Sequence, residues 1–402
     1  MNILLVSYVF FPEPIAMSTI VEDMAVELSK EHNVTVLTSR PCRPLGYDLP
    51  KETTKDGWRF QRVILDSYVY PQTGFIGRAR ESNSFGKAIV KYINAHKSEI
   101  DVVYGCIQPL FGQHKVVSCC KKNGIPCVIH VEDIYPEPFL TRLPDLIGKA
   151  MFKLFFPIDK YVLNNATKVV AIGPKLREYL INTRHTGNDK VEYVYNWQDD
   201  SRFNVDKADG KPEDVFTYMY VGSLSAAANL LRVVRCYVKA NPKGCRFVFA
   251  GAGALKESLM QIAKENLSIR IEFWEAKSSD VPYLQSLADV LVLPLKSGVA
   301  LKAFPSKFPA YLYSKKPVLA FVEKESDVAD CIIQSGCGWI VDPKDEEGLT
   351  ESFLNIPSNS KESLITMGIN GYEFGHKHLT RKINLDKICS IILNAAKQQN
   401  KQ

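Results

Sequence analysis

Asn2–Tyr8 reads NILLVSY, and VFFPEPIAMS follows over Val9–Ser18. The first string is a continuous apolar run, the composition of a strand buried on both faces. The second carries Pro12 and Pro14, which a central strand does not tolerate, and it reads as a loop. From about Ser18 to His32 apolar residues recur at helical spacing, and Val34–Leu37 is again strand-like. Strand, loop, helix and strand in immediate succession predict the opening of a doubly wound α/β domain, whose ligands lie at the carboxyl ends of the strands. No G-x-G-x-x-G follows the first strand. Pro14, Ile15, Ala16 and Met17 stand there instead, a stiff and bulky loop.

The alternation continues outward. Arg59–Leu65 reads as a strand, and Tyr70–Lys97 is aromatic and basic, suited to a lid or a membrane contact as well as to a solvated loop and helix. Val102–Tyr104 is strand-like, about Gly112–Lys122 helical, and Pro126–Val131 the next strand. That strand runs into Glu132, Asp133, Ile134, Tyr135, Pro136 and Glu137, so two adjacent carboxylates stand where such folds gather ligand groups. Capping of the next helix is the other reading of the pair. His130 is expected to be a satisfied core histidine. Leu143–Val162 is apolar and aromatic with interspersed lysines, which suits a buried helix or one lying on a membrane surface. Lys168–Ile172 and Val191–Tyr195 are further strands.

The polar stretch Asp199–Asp214 reads as a linker, after which the pattern repeats. Phe216–Val221 leads into Gly222 and Ser223, then an Ala-rich helix, and Arg246–Ala250 leads into Gly251 and Gly253. Glycines there let a backbone approach a flat ligand closely. Ile269–Trp274, Val290–Leu293, Val318–Val322 and Trp339–Val341 complete a parallel sheet, and about Arg381–Ala396 is a last helix. Leu301–Val322, LKAFPSKFPAYLYSKKPVLAFV, reads as loop, short helix and strand. Ser306 is placed to cap the helix through its hydroxyl, with Lys307 adding a full positive charge. A helix start with a lysine suits a diphosphate.

Composition bounds the rest. The 402 residues are 46% hydrophobic and 23% charged with a net charge of +6, which fits a globular chain of two domains. The basic excess is spread over both halves, so no nucleic-acid surface is expected, while anionic small molecules or an anionic membrane face are compatible. Ten cysteines without CxxC pairs read as reduced thiols, and no His–Cys spacing suggests zinc. No leader is expected, and no apolar run approaches the ~20 residues that span a bilayer, so a cytoplasmic location is expected.

PSK, an aromatic-rich helix and KPV in Pro305–Val318 resemble the donor-site segment of the bacterial family 4 glycosyltransferases, nearest the branch that builds capsular and O-antigen polysaccharides. EDIYPE over Glu132–Glu137 is similar to that branch's acceptor-side motif, and YNWQDDSRF over Tyr195–Phe203 to its hinge. The resemblance spans nearly the whole chain. It implies a GT-B fold: two Rossmann-like, doubly wound α/β domains facing a central cleft, with residues 1–200 on the acceptor side, 201–370 binding the nucleotide-sugar donor, and 371–402 a helical segment packing back toward the first domain. It implies a retaining glycosyltransferase that takes a sugar, UDP-linked, to a lipid-linked or saccharide acceptor. Work at the cytoplasmic face of an anionic inner membrane follows, with no cofactor or metal.

Carried onto this chain, Gly222, Ser223, Gly251, Gly253, Lys302, Ser306 and Lys307 are the donor-binding candidates. Glu132, Asp133 and Lys307 are the catalytic ones, and Glu13, Pro14 and Tyr135 the acceptor-binding ones. The pattern is incomplete. Lys302 and Ala310 stand where the family has two glutamates, Ser223 where it has an arginine, and Ser225–Ala228 offers no lysine. Arg232, further into the following helix, would reach back only across a short loop. A non-catalytic GT-B partner in a polysaccharide-assembly complex is therefore the alternative, and a sugar-nucleotide epimerase a remote one.

Overall fold

The computed structural model describes residues 1–43, 49–70, 72, 74–107, 110–203, 215–225, 228–301 and 303–399. They fall into two compact units, Met1–Asn196 with Lys382–Gln402, and Trp197–Arg381. Residues 204–214 of the expected linker lie outside the described residues.

In the first unit the described elements are β1 (Asn2–Ser7), α1 (Ala16–Leu28), β2 (Asn33–Thr38), β3 (Gln61–Ile64), α2 (Phe75–His96), β4 (Val102–Cys106), α3 (Phe111–Asn123), β5 (Cys127–Val131), α4 (Pro138–Arg142), α5 (Asp145–Asn165), β6 (Lys168–Ala171), α6 (Pro174–Arg184) and β7 (Val191–Tyr193). The strands form one parallel sheet in the order β3-β2-β1-β4-β5-β6-β7. Strand order reverses between β1 and β4, so the loops beyond them frame a crevice at that switch point. Ile3–Ser7 and Cys127–Val131 are buried throughout, as their unbroken apolar runs require when helices cover both faces of a sheet. Helix α1 starts at Ala16, ahead of Ser18, and stops at Leu28.

The second unit holds β8 (Phe216–Val221), α7 (Leu230–Ala240), β9 (Cys245–Ala250), α8 (Lys256–Glu265), β10 (Ile271–Trp274), α9 (Val281–Ser286), β11 (Val290–Pro294), α10 (Lys307–Tyr313), β12 (Val318–Phe321), α11 (Asp327–Ser335), β13 (Gly338–Val341), α12 (Glu346–Asn355) and α13 (Lys361–His378). Its sheet is parallel in the order β10-β9-β8-β11-β12-β13, reversing between β8 and β11. An aromatic core built from Tyr218, Tyr237, Phe247 and Phe353 fills the space under α7 and α12. Helix α14 (Arg381–Gln399) closes the chain. Its Asn384 Oδ1 accepts the Tyr195 N–H at 3.1 Å, beside the end of β7. Among the described residues no helix is long and apolar enough to cross a membrane.

The segment after β5 is pinned by a fully buried arginine. Arg184 Nη1 and Nη2 donate to the Glu137 carboxylate at 2.6 and 2.9 Å, and Nε donates to Asp159 at 2.8 Å. Nη2 also donates to the Tyr135 carbonyl at 2.8 Å. One guanidinium thus joins α5 and the end of α6 to the residue before α4 and holds the chain that follows Glu132 and Asp133. Burial would raise the Glu137 carboxyl, but hydrogen bonds from Arg184 and Tyr179 outweigh it and hold the group below its ordinary range. Removing one partner of a buried, hydrogen-bonded pair leaves the other charge uncompensated, at a cost of roughly 3–5 kcal/mol. Arg184→Ala should lower the stability of this unit by that amount, seen as an earlier urea midpoint. A variant that melts with the parent would contradict this.

Candidate functional site

At the carboxyl edge of the first sheet, Glu132 is the first residue beyond β5 and Asp133, exposed, the second. The Glu132 side chain is 28% exposed. Its Oε2 accepts from Asn196 Nδ2 at 2.8 Å, and its Oε1 lies 3.2 Å from Nε2 of fully buried His130. His130 Nδ1 in turn lies 2.6 Å from the Tyr104 hydroxyl. Tyr104 with His130 and Asn196 with Glu132 form two hydrogen-bonded pairs, and between them His130 Nε2 and Glu132 Oε1 face each other without a hydrogen bond, so the expected core histidine is satisfied at Nδ1 alone. Burial drives the His130 imidazole down to about 3, so it is neutral at ordinary pH. Burial also raises the Glu132 carboxyl to about 7, against the Asn196 hydrogen bond and with the help of the Asp133 charge. A carboxyl titrating there can exchange a proton near neutral pH.

The other first-unit candidates have different surroundings. Glu13 is buried, and its oxygens accept the backbone N–H groups of Phe10, Cys42 and Arg43 at 2.9, 2.8 and 2.8 Å. It ties the loop after β1 to the loop after β2, which is a structural task. Pro14 beside it is exposed. Tyr135 packs its ring on Phe139 with centroids 6.0 Å apart, and a cis peptide joins it to Pro136.

In the second unit the switch point brings four candidates together. Gly222 follows β8 at φ +139°, and a Cβ there would come within 2.2 Å of Lys307 Cε. The lysine stem therefore lies directly on the glycine backbone. Helix α10 is held in place by fully buried Tyr311, whose hydroxyl accepts the Val221 N–H of β8 at 3.3 Å and reaches the Val292 carbonyl of β11 at 3.4 Å. Lys307 Nζ sits 5.7 Å from the Tyr220 ring centroid, and burial alone lowers its pKa. Among the described residues no carboxylate forms an ion pair with it.

Gly251 and Gly253 sit at φ +147° and +153°, and added Cβ atoms would meet the Gly222 and Leu224 carbonyl oxygens at 2.1 and 2.5 Å. The close approach they permit is between the loops after β8 and β9, which are further joined by Leu224 N–H to the Ala252 carbonyl at 2.8 Å. Ser223 is exposed.

Two expectations need correction. Ser306 precedes α10 with helical φ and ψ of −60° and −17°, and its hydroxyl makes no capping bond. The Pro305 carbonyl accepts the Phe308 N–H and starts the turn. Arg232 does not turn back to the glycine loop: Nη1 donates to the Pro343 carbonyl at 2.7 Å and Nε pairs with Glu346 at 2.9 Å. Lys302 lies outside the described residues. Among the described residues no three His, Cys, Asp or Glu side chains gather as metal ligands.

Asn196 and the contact of His130 with Glu132 escaped the sequence reading. Asn196 stood inside the hinge string, with nothing to indicate that it faces a carboxylate at the end of another strand.

Comparison with known proteins agrees with this architecture. The model of Glycosyltransferase Family 4 matches residues 17–202, and that of glycosyl transferases group 1 matches residues 201–374. A probable glycosyltransferase of Pseudomonas aeruginosa, WbjE, is 25% identical over 237 residues, 56% of this chain and 58% of that protein. The matched region thus spans little more than half of that relative. Among solved structures, Anabaena HepE in complex with UDP and glucose superimposes with a TM-score of 0.69 at 15% identity, covering 97% of this chain and 99% of that one. WaaG, a glycosyltransferase involved in lipopolysaccharide biosynthesis, gives 0.70 at 14% identity with 97% and 99% covered. Sucrose-phosphate synthase from Thermosynechococcus elongatus gives 0.74 at 14% identity, with 97% and 98% covered.

The raised Glu132 carboxyl has a consequence for stability. Its value in the fold, about 7, exceeds the ordinary 4.5, so the folded chain holds this proton more tightly than the unfolded chain does. The stability it contributes is fully present below pH 4.5 and is lost as the pH rises through 7. Glu132→Gln abolishes that loss. The variant should match the parent at pH 4 and exceed it at pH 8 by roughly 1–3 kcal/mol, read from thermal melts at the two pH values. A difference that does not change with pH would contradict the assignment.

Proposed function

On the premise that the chain belongs to the family 4 glycosyltransferases of GT-B fold, we propose that it moves a sugar from a UDP-linked donor to a lipid-linked or saccharide acceptor in cell-surface polysaccharide assembly, with retention of configuration. The observation that carries the donor half is the Lys307 stem lying on Gly222 at the switch point of the second sheet. Ligands in open α/β sheets lie at such points, and a half-buried cation acts there in a low dielectric where its field is strong. HepE, of the same fold, binds UDP.

The chemistry places negative charge on the departing diphosphate. As the bond from the anomeric carbon to the diphosphate oxygen breaks, Lys307 meets that charge. The acceptor hydroxyl forms the new bond on the same face, and its proton passes to the leaving phosphate oxygen. No enzymic nucleophile is then required. Glu132, fixed by Asn196 and facing His130, orients the acceptor hydroxyl together with Asp133. Gly251 and Gly253 support the reading indirectly, because they let the loop bearing Gly222 close on its neighbour.

One observation favours the non-catalytic reading. Arg232 is engaged with Pro343 and Glu346, and Ala310 is 6% exposed within α10, so neither supplies donor-site charge. The two readings part on ligand binding. In a thermal-shift screen against UDP-, GDP- and dTDP-sugars, a ligand at a hundred times its dissociation constant adds about 2.7 kcal/mol. We expect such a shift with a UDP-sugar, and Lys307→Ala should abolish it without lowering the melting temperature of the free protein. Equal affinity in parent and variant would contradict the donor assignment.

The membrane half of the proposal rests on helices α2 and α5, whose Phe75 and Phe155 rings pack with centroids 5.6 Å apart. Ile76, Leu146 and Leu154 are 84%, 83% and 63% exposed, and Arg80, Lys87, Lys91 and Lys153 are exposed as well. Exposed apolar and basic side chains on the same helices suit an anionic lipid surface. Binding to anionic liposomes at low salt, reversed at high ionic strength and weakened by Leu146→Ser with Leu154→Ser, is the expected result. Protein left in the supernatant at low salt would contradict it.

A further inference from the structure

Glu323 stands two residues beyond β12 at the carboxyl edge of the second sheet. It is 7% exposed, and its Oε1 accepts the Gly298 N–H at 2.5 Å. Its Oε2 is buried and has no hydrogen-bond partner. Gly298 belongs to the loop after β11, where Lys296, Ser297 and Val299 are exposed, so the hydrogen bond to its N–H brings the carboxyl group against that open loop. Its backbone carbonyl and that of Phe321 are occupied by Ser326 and Leu295 N–H groups, which fixes the backbone from which the side chain extends. A buried carboxylate oxygen without a donor is costly, because water has been removed and nothing replaces it. A donor arriving with a ligand would offset that cost.

We propose that Glu323 accepts hydrogen bonds from neighbouring hydroxyl groups of the nucleotide-sugar donor. The proposal rests on the donor site at Gly222 and Lys307. Sheet order places β12 next to β11 and two strands from β8, a separation of about 10 Å at the usual strand spacing. A nucleotide sugar whose diphosphate lies over Gly222 is longer than that. Lys307 meets the phosphates with charge, and Glu323 meets a polyol with an acceptor. The hydroxyls come either from the ribose, which has a cis-diol, or from the transferred sugar.

The bland role for Glu323 is to anchor the Gly298 loop alone, and Glu323→Gln separates the two. Glutamine keeps an acceptor for the Gly298 N–H but presents an amide in place of the free oxygen. Titration calorimetry of parent and variant with UDP, 2′-deoxy-UDP and UDP-glucose, the guanine series beside them, gives the answer. Affinity at least ten-fold weaker for UDP and UDP-glucose, with 2′-deoxy-UDP unchanged, assigns the contact to the ribose. Weakening confined to the sugar nucleotide assigns it to the sugar. Parent-like affinity for every ligand overturns the proposal and leaves the donor site standing, whereas a parent that binds nothing in either series overturns both. Should the glutamine variant not fold, Glu323→Asp, which withdraws the carboxylate by one methylene, is read in the same way.

Discussion

The Tyr311 hydroxyl is the contact on which the arrangement of the second unit's switch point depends. It accepts from β8 and reaches a carbonyl of β11, the pair of strands between which the sheet reverses. One side chain thereby fixes α10 across the switch point, and everything else follows from register. Lys307 stands one helical turn before Tyr311, so it projects from the same side of α10 and its stem falls on Gly222. A glycine suits the place below it, because Gly222 sits at φ +139°, which residues with a Cβ rarely adopt, and its bare backbone leaves room for the lysine stem. Two further glycines close the loop after β9 onto the loop after β8. The cation is brought to the sheet edge by steric packing, with no carboxylate among the described residues to neutralise it.

In the first unit the corresponding constraint is a guanidinium. Arg184 holds the chain after β5 by the Glu137 carboxylate and the Tyr135 carbonyl and ties it to Asp159 of α5, and Glu132 begins that chain. A carboxyl group so placed is raised by desolvation but steadied by the Asn196 amide. The His130 imidazole, too buried to be charged, faces it without neutralising it. That combination keeps Glu132 poised between its two protonation states, a condition suited to handling an acceptor hydroxyl. The structural anchor and the raised carboxyl group stand in the same string, EDIYPE, five residues apart at Glu137 and Glu132.

Much of the fold was legible in the sequence because apolar runs of strand length, separated by helical periods, leave few arrangements for a parallel sheet. Phe216–Val221 and Cys127–Val131 could be read almost to the residue. The candidate site could be read only as strand-end and helix-start patterns within single segments, at Gly222, Gly251 and Lys307. What could not be read was the pairing of distant residues. Nothing in Tyr195–Phe203 announces that Asn196 faces Glu132, and nothing after Val322 marks Glu323 as a buried acceptor. Capping also misled. Ser306 has the side chain of an N-cap, but its helical backbone lets the Pro305 carbonyl begin the turn instead. Glu13, equally suggestive as a carboxylate after the first strand, is taken up by three backbone N–H groups.

A donor site bearing so few of the family's charged groups is proposed still to perform transfer. Release of nucleoside diphosphate from a panel of sugar nucleotides, with membrane lipid extract as acceptor, tests it directly. Release that requires both a UDP-sugar and the lipid is the expected result. Silence across the whole panel, in a protein that is folded and binds the nucleotide, would contradict it.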